Sequence, residues 1–235
     1  MKNIIVCLFI FCASAVFAQS SAPTFSHIKY ESGINNWLNI YQAVGKTSRP
    51  VVIWAHANGA TAEKFPASLW QELSKLGVSV ISWESEPELT APEHVATGEK
   101  DFINVMDWVQ KNAAKYNFDT NNIIISGRSR GTIISFLGAN QLYKKIKGAY
   151  FTQALPNGGW RIRDFTKDVT VNSPAMTMAF ADGFGSKDGH TPDNGLKIAD
   201  KYKELGIGDR FQIYENLGKD GLYGHLVDFI KKNTN

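Results

Sequence analysis

Short apolar runs alternate with longer amphipathic stretches along most of the chain, and this alternation predicts its secondary structure. The apolar runs have the length of buried strands, and the longer stretches repeat apolar residues at helical spacing. An early extended region covers 27–30 and 37–44, and predicted strands follow at 51–54, 78–82, 123–126, 148–152, 175–180 and 210–214. Predicted helices cover 60–76, 102–113, 132–142, 196–205 and 226–232. Strands that alternate with helices require crossover connections, so we predict one α/β domain with a mainly parallel sheet.

The first 18 residues follow a different pattern. Lys2 precedes an apolar run, and small residues end the segment at Ala18. This order is typical of a secretory signal peptide, and the run is short for a membrane span. We therefore expect cleavage near Ala18 and an exported domain over residues 19–235, either periplasmic or extracellular, with no membrane association after cleavage. A retained N-terminal anchor is the alternative.

The composition limits the chemistry available to the exported domain. Cys7 and Cys12 both lie in the predicted signal peptide, so the mature chain has no thiol to serve as nucleophile, disulfide or metal ligand. The formal charge of +3 comes from scattered basic residues, which argues against a nucleic-acid partner. Metal-ligand spacings and Gly-rich phosphate loops are absent from the sequence, so we expect neither a metal nor a cofactor.

The segment 122–135, NIIISGRSRGTIIS, contains the strongest chemical motif. A predicted buried strand runs into Gly127, and a predicted helix follows Gly131. A G-x-S-x-G motif between a strand and a helix holds its serine, here Ser129, exposed at the edge of the sheet. The alternative is a structural glycine turn that carries a surface serine.

The stretch 100–131, KDFINVMDWVQKNAAKYNFDTNNIIISGRSRG, resembles α/β-hydrolase-fold serine esterases. It is similar to secreted bacterial enzymes related to acetyl-xylan and feruloyl esterases and to dienelactone hydrolases. The resemblance implies an α/β-hydrolase fold without a large cap domain, and a serine carboxylic-ester hydrolase. Within this stretch we interpret Asp101, Trp108 and Asp119 as structural residues.

A serine hydroxyl needs a base and a group that orients the base. In this fold the chain order is serine, acid, histidine. We therefore expect Ser129 as nucleophile and His225 as base, because a Gly-rich segment places His225 after the last predicted strand. For the acid we favour Asp188, which precedes a Pro as in the family, with Asp182 as the alternative. His190 lies so near Asp188 in sequence that we interpret it as a pocket or surface residue.

The oxyanion hole should combine two backbone N–H groups. The resemblance implies that these belong to Arg130, directly after the serine, and Asn58, in the loop after the strand 51–54. Relatives usually have His-Gly where this chain has His56-Ala57.

Two side chains are candidates for substrate binding. Glucuronoyl esterases also have Arg directly after the serine, and a guanidinium binds carboxylates in bidentate geometry. Arg130 therefore either recognises an anionic or polar acyl partner or turns outward to solvent. Trp160 either lines an acyl subsite or packs in the core.

Three functions fit these residues. The first is hydrolysis of a small-molecule or polysaccharide-linked ester by Ser129, a histidine and an aspartate. The second uses the same groups on a peptide, lactone or thioester. The third is a non-catalytic exported binding protein on a hydrolase scaffold, since a fold does not determine a function.

Overall fold

The structure is a computed structural model that describes residues 21–45, 48–85, 91–181 and 189–234. The predicted signal peptide lies outside the described residues. Eight strands are present: β1 (Phe25–Lys29), β2 (Trp37–Tyr41), β3 (Arg49–Ala55), β4 (Ser79–Trp83), β5 (Phe118–Arg128), β6 (Gly148–Thr152), β7 (Met176–Ala181) and β8 (Phe211–Leu217). Six α-helices alternate with them: α1 (Ala67–Lys75), α2 (Pro92–Tyr116), α3 (Gly131–Gln141), α4 (Asn157–Ile162), α5 (Pro192–Glu204) and α6 (Lys219–Asn233).

All eight strands form one sheet in the order β1-β2-β4-β3-β5-β6-β7-β8. The pairs β1–β2 and β2–β4 are antiparallel, and every other neighbouring pair is parallel. In the parallel part, the carboxyl ends of β3, β4, β5, β6 and β7 lie along one edge of the sheet. Ligands of open α/β sheets bind at this edge, so the loops after these strands are where a site is expected.

Helices cover both faces of the sheet, which explains why its central strands are buried on both sides and mainly apolar. One core lies under α1 and α6, whose buried contacts are Leu69, Trp70, Leu73, Leu222, Leu226 and Ile230. The other core lies under α2, α3 and α5. Within the described residues, no helix is both long enough and apolar enough to cross a bilayer.

Local residues explain several helix boundaries. Pro92 and Pro192 open α2 and α5, where the missing N–H of proline costs no hydrogen bond. Asn117 ends α2 in the left-handed conformation, with φ of 60°. Asp119 is the second residue of β5, and its carboxylate accepts hydrogen bonds from the backbone of Asn121 and the side chain of Asn122.

The fold confirms the mainly parallel α/β sheet, but four helices begin several residues away from the predicted start. Helix α2 begins at Pro92 rather than at Phe102, and α5 at Pro192 rather than at Leu196. The predicted helix 60–76 starts only at Ala67, since the preceding segment forms short turns and its Ala62 N–H donates to the side chain of Glu84. The last helix starts at Lys219 rather than at Leu226. The sequence predicts a loop at Gly221 and Gly224, yet both residues lie inside this helix.

Helices α2 and α3 approach closely because α3 has Gly138 at their contact. A β-carbon at this position would lie 2.3 Å from ring atoms of the fully buried Phe102.

We expect Gly138→Ala to lower the free energy of unfolding by about 1–3 kcal/mol through overpacking. The matched control is Gly224→Ala in α6, where a β-carbon meets nothing within 4 Å. That change should stabilise the protein by up to about 1 kcal/mol. Urea unfolding of both variants measures the difference, and equal stabilities would contradict this account of the α2–α3 contact.

Candidate active site

Ser129 occupies a strained turn between β5 and α3. Its φ is 53°, in the left-handed region that non-glycine residues rarely adopt. The turn is held by hydrogen bonds on both sides of the serine. The Ser129 N–H donates to the carbonyl of Thr152 at the end of β6 (3.0 Å), and the Ser129 carbonyl accepts from the backbone N–H and the hydroxyl of Thr132. Strain retained by such contacts is typical of functional sites.

The glycines that flank the serine, Gly127 and Gly131, do not have a positive φ. They are required for close approach. A β-carbon on Gly131 would lie 2.5 Å from the carbonyl oxygens of Ala55 and His56, and one on Gly127 would lie 3.1 Å from that of Ala55. The turn therefore packs directly against the backbone at the end of β3.

The histidine beside the serine is His190. Its Nε2 lies 2.7 Å from Ser129 Oγ, a distance at which the hydroxyl donates its proton to the ring nitrogen. His190 is half-buried and lies in the connection between β7 and α5.

Helix α4 and the start of α5 hold the segment that carries His190. The carbonyl of the preceding Gly189 accepts from the N–H of Asn157 at 2.8 Å. The buried side chain of Asn194 then donates to the carbonyl of Leu155 and to Asn157 Oδ1. Gly189 has φ of 69°, so a left-handed residue turns the chain just before His190.

His225 does not lie beside Ser129, and this part of the sequence prediction is corrected by the structure. The ring of His225 stacks on Tyr214 at 3.9 Å and lines a separate cavity of about 410 Å³ near the first residues of β7 and β8. The physical reason is the early start of α6. Gly221 and Gly224 continue the helix instead of forming a loop over the strand ends, so His225 is carried onto the helix.

Both candidates for the acid, Asp188 and Asp182, lie outside the described residues. The structure does describe the histidine atom that such an acid would contact, Nδ1 of His190. Nδ1 of His190 is shielded from solvent and lies across the ring from the nitrogen that faces Ser129. A carboxylate on that side would orient the ring as in serine hydrolases.

The loop after β3 and the turn at Ser129 border a common cleft. Residues 57–60 form a tight turn, closed by a hydrogen bond from the N–H of Ala60 to the carbonyl of Ala57. Asn58 and Arg130 both line a cleft of about 580 Å³, together with Asn35, Trp37 and Glu84. The structure thus brings together the two residues that sequence analysis assigned to the oxyanion hole.

A buried His–Glu pair supports this loop, and sequence analysis did not identify it. His56 Nε2 lies 2.8 Å from Glu84 Oε1, and the N–H of Ala62 donates to Glu84 Oε2 at 3.0 Å. Burial acts to raise the pKa of the Glu84 carboxyl, but the hydrogen bond and charge of His56 and the bond from Ala62 outweigh it and lower that pKa below its ordinary value. Glu84 is therefore ionised.

A second set of hydrogen bonds fixes the chain around Glu84. The hydroxyl of Tyr30 donates to the Glu84 carbonyl (2.7 Å), and Asn36 donates to both the Tyr30 oxygen and Asp101. Ser85 donates to the other oxygen of Asp101 at 2.5 Å. Burial raises the pKa of Asp101 despite these bonds. The structural role expected for Asp101 is thereby specified: it connects α2 with the end of β4.

Trp160 lies in α4 and has packing contacts. Its ring meets that of Phe165 edge-on at 5.2 Å, and the ammonium of Lys197 lies 4.7 Å from its centroid. A role of Trp160 in substrate binding stays a prediction. In the part of the chain that the structure describes, no group of three or more His, Cys, Asp or Glu side chains is placed to hold a metal ion.

A serine–histidine pair on a strand–turn–helix elbow, at the carboxyl edge of a mainly parallel eight-stranded sheet, defines an α/β-hydrolase. The chain belongs to the BD-FAE family, whose model matches residues 38–184, more than half of its length. This membership confirms the esterase resemblance and the class of carboxylic-ester hydrolases.

Solved structures with the same fold have low sequence identity to the chain. A truncated form of a carbohydrate esterase from gut microbiota superimposes with a TM-score of 0.72 at 16% identity, over 92% of this chain and 98% of that one. An acetyl ester-xyloside bifunctional hydrolase from Caldicellulosiruptor lactoaceticus gives 0.68 at 13% identity, over 90% and 97%. A lipase/esterase from Lactobacillus plantarum gives 0.67 at 12%, over 83% and 92%. No curated protein sequence matches the chain.

The strain at Ser129 has a measurable consequence for stability. Glycine tolerates a positive φ, whereas alanine has the same steric cost as serine there. We expect Ser129→Gly to be more stable than Ser129→Ala by about 1 kcal/mol in the free energy of unfolding. Denaturant unfolding of the two variants side by side is the measurement. If alanine proved the more stable, the turn at residue 129 would not be strained.

Proposed function

We propose that this chain is an exported serine carboxylic-ester hydrolase in which Ser129 is the nucleophile and His190 the general base. The observation that carries the proposal is the 2.7 Å distance between Ser129 Oγ and His190 Nε2. A serine hydroxyl becomes a useful nucleophile when a base accepts its proton, and this distance is within range for that transfer.

The reaction follows from the positions of these atoms. Ser129 Oγ attacks the ester carbonyl while His190 Nε2 takes the hydroxyl proton. The tetrahedral intermediate then expels the alcohol, which receives that proton from His190, and the serine is left acylated. A water molecule, deprotonated by His190, hydrolyses the acyl group and releases the acid. Both halves need one histidine that first accepts and then donates a proton.

Two further groups complete the proposed machinery. The backbone N–H groups of Asn58 and Arg130 stabilise the oxyanion, which is supported by their shared position along the cleft. Asp188, with Asp182 as the alternative, orients His190 through its buried Nδ1. The order serine, acid, histidine expected for this fold is kept, because His190 also follows both aspartates in the chain.

The cleft supports esters of polar alcohols as the substrate class. Its wall combines the polar side chains Asn35 and Asn58 with the aromatic residue Trp37, and such a mixture suits the hydroxyls and C–H groups of sugars. One structural neighbour is a carbohydrate esterase and another an acetyl ester-xyloside hydrolase. Acylated plant polysaccharides, met outside the cell, therefore fit the proposed function.

The deciding experiment compares the two histidines. We expect the chain from Gln19 to hydrolyse p-nitrophenyl acetate, and Ser129→Ala to reduce kcat by about 10⁴-fold or more. His190→Ala should lose about 10²- to 10⁴-fold, as for a general base. The matched control His225→Ala should stay within about twofold of the parent, because its ring lies elsewhere. Loss of activity in His225→Ala with retention in His190→Ala would overturn the assignment of the base. Activity that survives in Ser129→Ala would overturn the proposed nucleophile.

Arg130 gives a separate test of acyl recognition. Its side chain lines the cleft beside Glu84 and Asn58, where a guanidinium could hold a carboxylate of the substrate. We expect Arg130→Lys to reduce kcat/KM for uronate esters by about tenfold more than for matched neutral esters, since lysine lacks the bidentate geometry. Steady-state kinetics on the two ester series decides this. An equal loss on both would show that Arg130 does not recognise the acyl charge.

A further inference from the structure

We propose that His56 and Glu84 form a buried imidazolium–carboxylate pair that positions the oxyanion loop, defined as residues 56–62. Both are positioning residues rather than catalytic residues, because they act through the backbone of Asn58. The inference rests on the proposed function for its catalytic meaning, but the charge state of the pair can be tested without any substrate.

The pair is buried and its geometry is direct. The side chains of His56 and Glu84 are only 7% and 10% exposed, and 2.8 Å separates His56 Nε2 from Glu84 Oε1. A surface pair in the same chain provides a contrast. His27 and Glu63 lie 3.0 Å apart but are 57% and 55% exposed, so water screens their attraction.

The neighbours of the imidazole determine its protonation. Nδ1 of His56 lies 2.9 Å from the carbonyl oxygen of Ala57, which can only accept a hydrogen bond. Nε2 faces Oε1 of Glu84, whose other oxygen already accepts the N–H of Ala62. Both ring nitrogens therefore donate, and an imidazole that donates twice carries a positive charge.

One carboxylate thereby joins both ends of the oxyanion loop. Oε1 of Glu84 holds the side chain of His56, where the loop leaves β3, and Oε2 holds the backbone of Ala62. Asn58 lies between these two points. Fixing both ends before substrate binds removes conformational freedom from the donor N–H, so it needs no reorganisation when the oxyanion forms.

The surrounding charges agree with this arrangement. Glu84 reaches the pair from the end of β4, and Arg130 reaches the same cavities from the start of α3. Asp101 in α2 lies behind the pair and contacts Ser85, the residue that follows Glu84. His56, Glu84 and Arg130 all line the cleft, so positive charge from His56 and Arg130 accompanies the carboxylate of Glu84 where negative charge develops in the reaction.

Substitution of Glu84 tests the positioning role. We expect Glu84→Gln to fold and to lower kcat on p-nitrophenyl acetate by about 10- to 100-fold with KM changed by less than about threefold, because an amide cannot accept both bonds and the donor is lost only in the transition state. The control Glu63→Gln, which breaks the exposed pair, should leave both constants unchanged within about twofold. Wild-type kcat in Glu84→Gln, or a change confined to KM, would overturn the proposal.

The charge of His56 is measured by nitrogen NMR of the histidine rings, with Ser129→Ala as a background that cannot turn over substrate. We expect both ring nitrogens of His56 to be protonated at neutral pH, and one of them to be unprotonated in Glu84→Gln. A neutral His56 in the parent would overturn the pair even if the esterase activity were intact. Conversely, if His56 is charged but the protein hydrolyses no ester, the proposed His56–Glu84 ion pair is supported and only the proposed function is overturned.

Acid unfolding gives a third readout with a defined sign. Because the folded state lowers the pKa of Glu84, the pair stabilises the fold above the ordinary value of about 4.5. This stabilisation is lost as the pH falls through the lowered pKa. The free energy of unfolding of the parent should thus fall more steeply with acid below pH 4.5 than that of Glu84→Gln. Parallel curves would count against the ionised pair.

Discussion

The contact between the turn at Ser129 and the end of β3 is the constraint on which the site depends. Gly131 lies so close to the carbonyls of Ala55 and His56 that no side chain fits between them. One backbone therefore sets the position of the other. The strand that leads into Ser129 and the strand that leads into residues 56–62 therefore cannot shift independently, and Ser129 has an unfavourable φ at this junction.

Around this junction, three strands of the sheet each bring one group to the site from their carboxyl ends. β5 presents the serine, the connection after β7 presents His190, and the end of β4 presents Glu84. None of these side chains is close to another in sequence. Their proximity is a property of the parallel sheet, whose strand ends lie side by side, and the antiparallel β1–β2 hairpin adds the hydrogen bond of Tyr30 that steadies Glu84. The fold thus places polar groups at one edge while its interior stays apolar.

The features that sequence could predict are those encoded within a few neighbouring residues. The strand 148–152 agrees with β6 at both ends, because a fully buried strand is a short apolar run. The elbow at Ser129 was likewise visible, since strand, glycine and helix follow one another directly. The predictions that failed concern segments whose local sequence is compatible with either a loop or a helix. Glycine-containing residues 218–224 suit a loop by composition, but packing of Leu222 and Leu226 on the sheet draws them into α6.

The assignment of His225 as the base failed because it depended on a loop at residues 218–224, which the structure places in α6. His190 had a usable signal: it follows a predicted strand and precedes Pro192, so it had to lie near the carboxyl edge of the sheet. The His56–Glu84 pair had none, since 28 positions separate its members and no spacing rule connects the ends of β3 and β4. Such pairs emerge only when the register of the strands is known, here Ala55 opposite Trp83.

The location of His190 before α5 has a consequence for how the chain can change. In the proposed arrangement, every reacting group is encoded before Pro192, and the last strand and helix serve the reaction only by covering the sheet. β8 and α6 are then free to diverge as long as the buried side chains of α6, Leu222, Leu226 and Ile230, stay apolar. A lineage of this kind could exchange these last two elements, or extend them with an appended module, while its chemistry is inherited unaltered.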